Sequence, residues 1–176
     1  SGLSGTESSA RDLAVGADGS VFVLQEVATA AGSLDVHLAK YNRDGVSQWT
    51  HTHSDESAFD DRADHVALSP DGSLIAFTFR QFGPDGTALW IVMLDAVTGT
   101  PKWATAGESY ASADGLAFTA DGLYVGAAAQ GSLGKTNAEI LRFSPGGQLL
   151  ARATWNRTLF GDASVHGIFP VGSDLY

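Results

Sequence analysis

Short runs of alternating hydrophobic and polar residues make up most of this chain, and they recur at a nearly fixed distance. Alternation with a period of two predicts half-buried β-strands, and an Asp-Gly pair between two such runs predicts a hairpin turn. The Asp-Gly pairs lie at residues 18–19, 71–72 and 121–122, which gives spacings of 53 and 50 residues. The full phrase occupies residues 12–23, 64–77 and 114–125, and its opening recurs at residues 166–176.

Each repeat is predicted to contain four strands. No segment has apolar residues at helical spacing over a useful length, and Val, Thr and aromatic residues dominate the alternating runs. In the first repeat the strands are expected at residues 12–16, 20–27 and 35–41 and around Trp49, ending near Thr52. The later strands are expected at residues 65–68, 73–79, 89–95, 101–105, 115–118, 123–128, 139–143 and 148–155.

Four antiparallel strands in about 50 residues, repeated along a chain, are typical of the blades of a β-propeller. The predicted fold is therefore all-β, with about three and a half blades in one propeller domain. A β-sandwich is the competing fold, but it would not need the same turn at the same place in every sheet. The predicted divisions are 1–10 (a tail or an outer strand that pairs elsewhere), 11–62, 63–112, 113–164 and 165–176 (the start of a fourth blade).

The number of repeats bears on closure, because propellers close with about four to eight blades. Three blades and part of a fourth would leave an unpaired strand edge. Two hypotheses follow. Either the sequence is a fragment of a longer propeller, which we favour because it ends inside an expected strand, or two chains associate to complete a ring.

The amino-acid composition argues against several classes of partner and chemistry. The net charge of −10, with 10 basic and 20 acidic residues, makes nucleic acid a poor partner. There is no cysteine, so disulfides and thiol chemistry are excluded. No apolar run approaches the roughly 20 residues of a membrane-spanning helix, and no signal peptide is evident in the sequence.

Two stretches resemble known propeller repeats. The strand Asp35-Val-His-Leu-Ala-Lys40, the turn Asp44-Gly45 and the following Trp49 resemble the bacterial β-propeller repeat family abbreviated SBBP. The phrase from Asp95 through Thr98-Gly99 to Trp103 looks like that of quinoprotein propellers. The resemblance implies a bacterial protein that is extracellular, periplasmic or at the cell surface. Quinoproteins bind a quinone beside calcium, but none of their ligands can be placed in this chain.

A row of polar residues recurs where each first strand begins. Asp12, Asp64, Asp114 and His166 are spaced by 52, 50 and 52 residues. In a propeller the first strand lines the central channel, so these side chains would form a ring that could hold a cation such as calcium. The alternative, which we favour, is that each carboxylate accepts backbone N–H groups and fixes its own loop.

The densest polar stretch, from His51 to His65, joins the first repeat to the second and contains His51 and His53. In a strand, residues two apart share a face, so both imidazoles could reach one zinc ion or another transition metal. The alternative, which we favour, is a solvated loop.

No catalytic motif accompanies the repeats: the sequence has no nucleophile elbow, phosphate-binding loop or dinucleotide fingerprint. We therefore expect a non-catalytic binding or scaffold module that presents loops to a protein or glycan partner and requires no cofactor. The alternative is a fragment of a propeller enzyme, a quinoprotein-like oxidoreductase or a hydrolase or lyase, with its site at the channel mouth. A third hypothesis is a structural subunit of a surface assembly, whose open blade edge pairs with another chain.

Overall fold

The computed structural model describes residues 8–53, 59–84, 86–108, 110–130, 135–155, 165, 167–168, 170–171 and 174–175. Within these residues the fold is all-β and consists of three four-stranded antiparallel sheets and one short hairpin. In each large sheet the strands are adjacent in sequence order, so every connection is a hairpin. None of these residues form a helix long and apolar enough to cross a membrane.

The first sheet contains β1 (Ser8–Val15), β2 (Val21–Ala28), β3 (Leu34–Tyr41) and β4 (Ser47–His53). The second contains β5 (Asp61–Leu68), β6 (Leu74–Gly83), β7 (Gly86–Asp95) and β8 (Pro101–Glu108). The third contains β9 (Tyr110–Thr119), β10 (Gly122–Gln130), β11 (Thr136–Phe143) and β12 (Leu149–Trp155). A hairpin of β13 (Pro170–Val171) and β14 (Asp174–Leu175) follows.

All twelve strands expected from the alternating pattern are present, although several are longer than predicted. The largest difference is at the beginning. Residues 8–10 were expected in a tail or a strand that pairs elsewhere, but Ser8, Ser9 and Ala10 pair with β2 inside the first sheet. The short polar side chains of this segment give no hydrophobic signal, so the alternating pattern does not reveal its pairing.

The Asp-Gly pairs at residues 18–19 and 71–72 lie in turns, as predicted. Asp18 accepts hydrogen bonds from the backbone N–H and the hydroxyl of Ser20, at 2.9 and 2.6 Å. Asp71 does the same with Ser73, at 3.1 and 2.8 Å. The third pair is different, because Gly122 is already the first residue of β10 and pairs with Thr119 in a tighter hairpin.

The sheets pack face to face in sequence order. β5 lies against β1, and β9 lies against β5, so the first strands of the three sheets are neighbours. We call β1, β5 and β9 the inner strands and β4, β8 and β12 the outer strands. Separate apolar cores fill the two spaces between the sheets. The first core includes the buried residues Phe22, Leu24, Val36, Leu38, Ile75, Phe77 and Phe79. The second includes Leu89, Ile91, Met93, Leu123, Val125, Leu141 and Phe143.

Tryptophans on two outer strands join neighbouring sheets. The indole N–H of Trp49 donates to the carbonyl of Val97 at 3.1 Å, and its ring covers Gly99. The indole N–H of Trp103 donates to the carbonyl of Pro145 at 2.9 Å, and its ring covers Gly147. In both cases the accepting carbonyl lies two residues before a turn glycine of the next sheet.

The backbone conformation at these turns and the contact with the indole both favour glycine. The φ angle of Gly99 is +73°, and a Cβ there would lie 2.7 Å from Cδ2 of Trp49. Gly45 occupies the corresponding turn of the first sheet with φ +78°, but a Cβ there would have no atom of the described residues within 4 Å. The two positions therefore share one backbone conformation and differ in whether an indole covers them.

This difference gives a matched pair of substitutions. Gly45→Ala is expected to cost about 1 kcal/mol of unfolding free energy, because an L-residue is strained at positive φ. Gly99→Ala carries the same strain and must also displace the indole, so it is expected to cost about 1–3 kcal/mol more. Urea unfolding monitored by fluorescence measures both values. Equal losses for the two variants would contradict the close contact between Trp49 and Gly99.

Candidate functional site

Every inner strand contains a β-bulge, where the strand has one residue more than its partner. In β1 the extra residue is Arg11, whereas β9 has two such places, where the extra residues are Asp114 and Ala111. In β5 the pair Asp64 and His65 faces a single residue of β6, Thr78. The hydroxyl of Thr78 accepts the N–H of His65 at 3.2 Å.

The predicted ring residues do not all lie at the same position relative to the bulge of their strand. Asp64 and Asp114 lie at bulges, whereas Asp12 lies just after a bulge and pairs with Leu24. Equal spacing in sequence therefore does not give the three carboxylates equivalent positions, because their surroundings are set by the register within each sheet.

Asp12 joins the first sheet to the second. Its Oδ2 accepts the backbone N–H of Val66 at 3.0 Å, and its Oδ1 accepts the N–H of Leu13 at 2.9 Å. The Nδ1 of His65 lies 3.5 Å from Oδ2. Burial alone would raise the pKa of Asp12, but the bonds from His65, Val66 and Leu13 lower it below its usual value. The same contact with Asp12 raises the pKa of His65.

Asp64 joins the second sheet to the third. Its carboxylate accepts Nε and Nη2 of Arg80, at 3.0 and 2.9 Å, and the backbone N–H of Ala113 at 3.4 Å. The side chain is only 7% exposed, and burial raises its pKa even though Arg80 opposes the shift. A carboxylate in this position is buried between two sheets and neutralised by Arg80.

Asp114 is held differently. One of its oxygens accepts the hydroxyl of Ser112 at 2.7 Å, while Oδ2 is buried without a hydrogen-bond partner among the described residues. His166, the fourth member of the predicted ring, lies outside the described residues. Within the part of the chain that the structure describes, no group of three or more His, Asp or Glu side chains could hold a metal ion. The four-membered calcium ring stays a prediction.

His51 and His53 share one face of β4, as their spacing predicts, but this face packs on the second sheet. The His51 ring lies 6.0 Å from that of Phe77, and the His53 ring lies 4.4 Å from that of Phe79, measured between centroids. Burial, together with the neighbouring histidines His53 and His37, lowers the pKa of His51. Both imidazoles are therefore part of an aromatic contact between sheets, and a zinc site made from them also stays a prediction.

A buried carboxylate that is not among the candidate residues predicted from the sequence also joins the first sheet to the second. Glu26 is only 2% exposed and forms an ion pair with Arg11 of its own sheet. It also accepts the backbone N–H of Ala63 at 3.2 Å and Nη1 of Arg62 at 3.4 Å, both in the second sheet. The isolated acid in the apolar run of β2 was the available signal, because a charge on the buried face of a strand requires a partner.

Glu139 is a second buried carboxylate that is not among the candidate residues predicted from the sequence. It is 7% exposed and accepts the hydroxyl of Tyr110 at 3.0 Å and the hydroxyl of Thr154 at 3.0 Å. Burial, followed by the bond to Glu139, raises the pKa of Tyr110 to about 12. Glu139 thus connects three strands of the third sheet.

A cleft of about 610 Å³ opens where the turns of the first and second sheets meet. Residues of the turns that contain Asp18 and Asp71 form its two sides, and Lys40 and Val97 also line it. The Nζ of Lys40 donates to the carbonyl of Ala96 at 3.0 Å and lies 5.1 Å from the centre of the Phe22 ring. The volume of the cleft is within the roughly 300–1,000 Å³ typical of ligand sites, and its lining residues provide both charged groups and apolar surface.

Comparison with known proteins does not assign this chain to a family. No protein-family model matches the sequence, and no curated protein matches it significantly. The resemblance to SBBP-like and quinoprotein repeats stays a prediction that rests on the residues quoted above.

The role of Asp64 can be tested by removing its charge. Asp64→Asn leaves Arg80 without its counter-charge between the sheets, and we expect a loss of about 2 kcal/mol of unfolding free energy. Asp44→Asn, in an exposed turn, is the matched control and should change stability little. If Asp64→Asn keeps full stability and calcium raises the melting temperature of only the unsubstituted protein, the carboxylate is a cation ligand instead.

The bond between Tyr110 and Glu139 predicts a dependence on alkaline pH. The folded protein favours the neutral phenol, because its pKa is raised from the ordinary value near 10 to about 12. The resulting stability is fully present below pH 10 and is lost as the pH rises through 12. Ultraviolet absorbance of tyrosinate and unfolding curves measured over this range should both show the transition. Tyr110→Phe should remove this component, and identical curves for the two proteins would contradict the assignment.

Proposed function

We propose that this chain is a series of β-propeller blades that acts as a non-catalytic scaffold and presents its turns to a protein or glycan partner outside the bacterial cytoplasm. Support for the propeller comes from three meander sheets packed in sequence order with their first strands adjacent. This arrangement is the one expected of consecutive blades. The described residues do not form a closed ring of sheets, so the total number of blades belongs to the proposal.

One observation carries the non-catalytic part of the proposal. Two of the three ring carboxylates on the inner strands already hold sheets together: Asp12 accepts the N–H of Val66, and Asp64, paired with Arg80 of its own sheet, accepts the N–H of Ala113. A general acid, a general base or a metal ligand needs an oxygen that can face a substrate or an ion. Acids that bond the backbone of the next sheet serve stability.

The phrase that suggested a quinoprotein enzyme has structural roles as well. Asp95 accepts the N–H groups of Val97 and Thr98, at 3.1 and 3.0 Å, and so shapes the turn before β8. Trp103 donates to Pro145 of the third sheet. These contacts explain the phrase by packing, so the phrase itself does not favour the enzyme hypothesis.

The cleft between the turns is the surface that we propose for the partner. Asp18, Lys40 and Asp71 give it charges of both signs, and its open side is bordered by Val97, which is 68% exposed. The hydrogen bonds of Asp18 and Asp71 hold the turns in place, so the cleft keeps its shape without a ligand. Preorganisation of this kind favours binding because little ordering is required.

A printed glycan array, applied to the purified chain, tests the proposal. Ala17→Trp fills the cleft from an exposed turn position without removing a hydrogen bond of the Asp18 side chain, and it should reduce the array signal at least tenfold. Thr52→Trp, on an exposed position of β4, is the control for an added indole and should keep the signal.

Two results would oppose the proposal. Binding that Ala17→Trp leaves unchanged would remove the cleft as the binding surface. Turnover of a substrate that is lost on substitution of His53 or Asp64 would replace the scaffold with an enzyme.

A further inference from the structure

Two carboxylates of the cleft between the first and second sheets have acceptor positions left for a ligand. Asp18 and Asp71 belong to the two turns that form the sides of the cleft. Among the described residues, both hydrogen bonds to Asp18 end on Oδ1, where the backbone N–H and the hydroxyl of Ser20 donate. Oδ1 of Asp71 accepts the hydroxyl of Ser69 at 2.6 Å, and the hydroxyl of Ser73 lies 2.8 Å from both of its oxygens. An ionised carboxylate has about four acceptor positions, so each side of the cleft can accept a further donor.

Both carboxylates stay ionised well below neutral pH. Hydrogen bonds from neighbouring serines lower the pKa of Asp71 to about 2 and hold the pKa of Asp18 below its usual value. Lys40 supplies one positive charge, so the charged side chains that line the cleft leave one negative charge unbalanced. The net charge of −10 on the whole chain acts in the same direction. A ligand with a positive charge is therefore complementary to this cleft.

Lys40 sets a second requirement on the ligand. An ammonium has three N–H donors, and among the described residues the ammonium of Lys40 uses one of them, for the carbonyl of Ala96. A ligand that covers this ammonium must offer acceptors to the remaining donors, because a buried N–H without a partner is costly. A ligand whose only polar group is a cation offers none. The complementary ligand therefore combines a positive charge with oxygen acceptors.

We propose that the cleft binds a glycan with a free amino group, whose ammonium bonds the carboxylates of Asp18 and Asp71 and whose hydroxyl groups accept N–H groups of Lys40. The inference rests on the proposed function and names the class of glycan for the same cleft. The C–H groups of the sugar pack on Val15 and Val97, which line the cleft and are 60% and 68% exposed.

A lysine side chain of a protein partner is the nearest alternative, because it presents the same ammonium. Its charge lies at the end of a flexible stem that loses rotamer freedom when the ammonium is fixed. It also brings no acceptor of its own for Lys40. An amino sugar holds the cation and several hydroxyl groups on one rigid ring, so less ordering is required on binding. These differences favour the sugar, and a lysine peptide serves as the comparison ligand.

Matched disaccharides separate charge from shape in the unsubstituted protein. The disaccharide of glucosamine and its N-acetylated form differ only at the amino groups, which are charged in the first and neutral in the second. At about pH 6 the free amine is protonated, and both cleft carboxylates are ionised. Titration calorimetry should show binding of the free-amine disaccharide that is tighter by about tenfold or more, because its hydrogen bonds to the carboxylates are charge-assisted. Added salt should reduce this preference by screening the exposed charges.

Asp18→Asn tests the carboxylate itself. It removes one charge but keeps an oxygen for the bonds from Ser20, so the turn is retained. The preference for the free amine should fall at least threefold. Asp121→Asn changes the exposed aspartate of the corresponding Asp-Gly pair in the third sheet and is the matched control for the loss of one charge. It should keep the preference, and near-ultraviolet circular dichroism checks that both variants are folded.

The variant that fills the cleft separates failure of this inference from failure of the proposed function. Equal binding of the two disaccharides, or tighter binding of a lysine peptide, overturns the inference. If Ala17→Trp also abolishes that binding, the cleft is still the partner surface and the proposed function stands. No binding of either disaccharide overturns the inference as well, whereas the proposed function is then decided by the other glycans of the array.

Discussion

Backbone N–H groups on the inner strands impose the constraint on which the rest of the structure depends. Each inner strand is at the edge of its sheet and is interrupted by a bulge, so part of its backbone has no strand partner. Carboxylates from the preceding sheet accept these N–H groups: Glu26 bonds Ala63, Asp12 bonds Val66, and Asp64 bonds Ala113. A buried N–H without an acceptor would cost about 1–3 kcal/mol, so these bonds determine how the sheets can stack.

The outer ends of the sheets are joined by a different interaction. There the contact combines a tryptophan ring that covers a glycine turn with one hydrogen bond from the indole N–H, as Trp49 does at Gly99. Apolar side chains fill the space between these polar inner contacts and the indoles. Neighbouring sheets are thus fixed at both ends, which limits rotation of one sheet against the other.

The strands, the turns and the grouping into sheets could be predicted from the sequence because they depend on local pattern. Alternation specifies a strand, and Asp18-Gly19 specifies a turn within a few residues. The partners of the acidic residues could not be predicted in this way. Asp12 and Val66 are 54 residues apart, and a single bulge residue decides which way a side chain points. Asp12 lies just after the bulge of β1, whereas Asp64 and Asp114 lie at the bulges of β5 and β9, yet all three carboxylates contribute to raising the pKa of His65.

Side chains of opposite charge occupy equivalent positions in the first and second sheets, so the two sheets could not exchange places in the stack. In the first sheet, Glu26 pairs with Arg11 and accepts the N–H of Ala63 from the next sheet. At the corresponding place in the second sheet the charges are reversed: Arg80 pairs with Asp64 and donates to the carbonyl of Ala111, at 3.4 Å. Exchanging the two sheets would bring an acceptor against a carbonyl and a donor against an N–H. Repetition of the backbone therefore allows many stacking orders, and these buried charges select one of them.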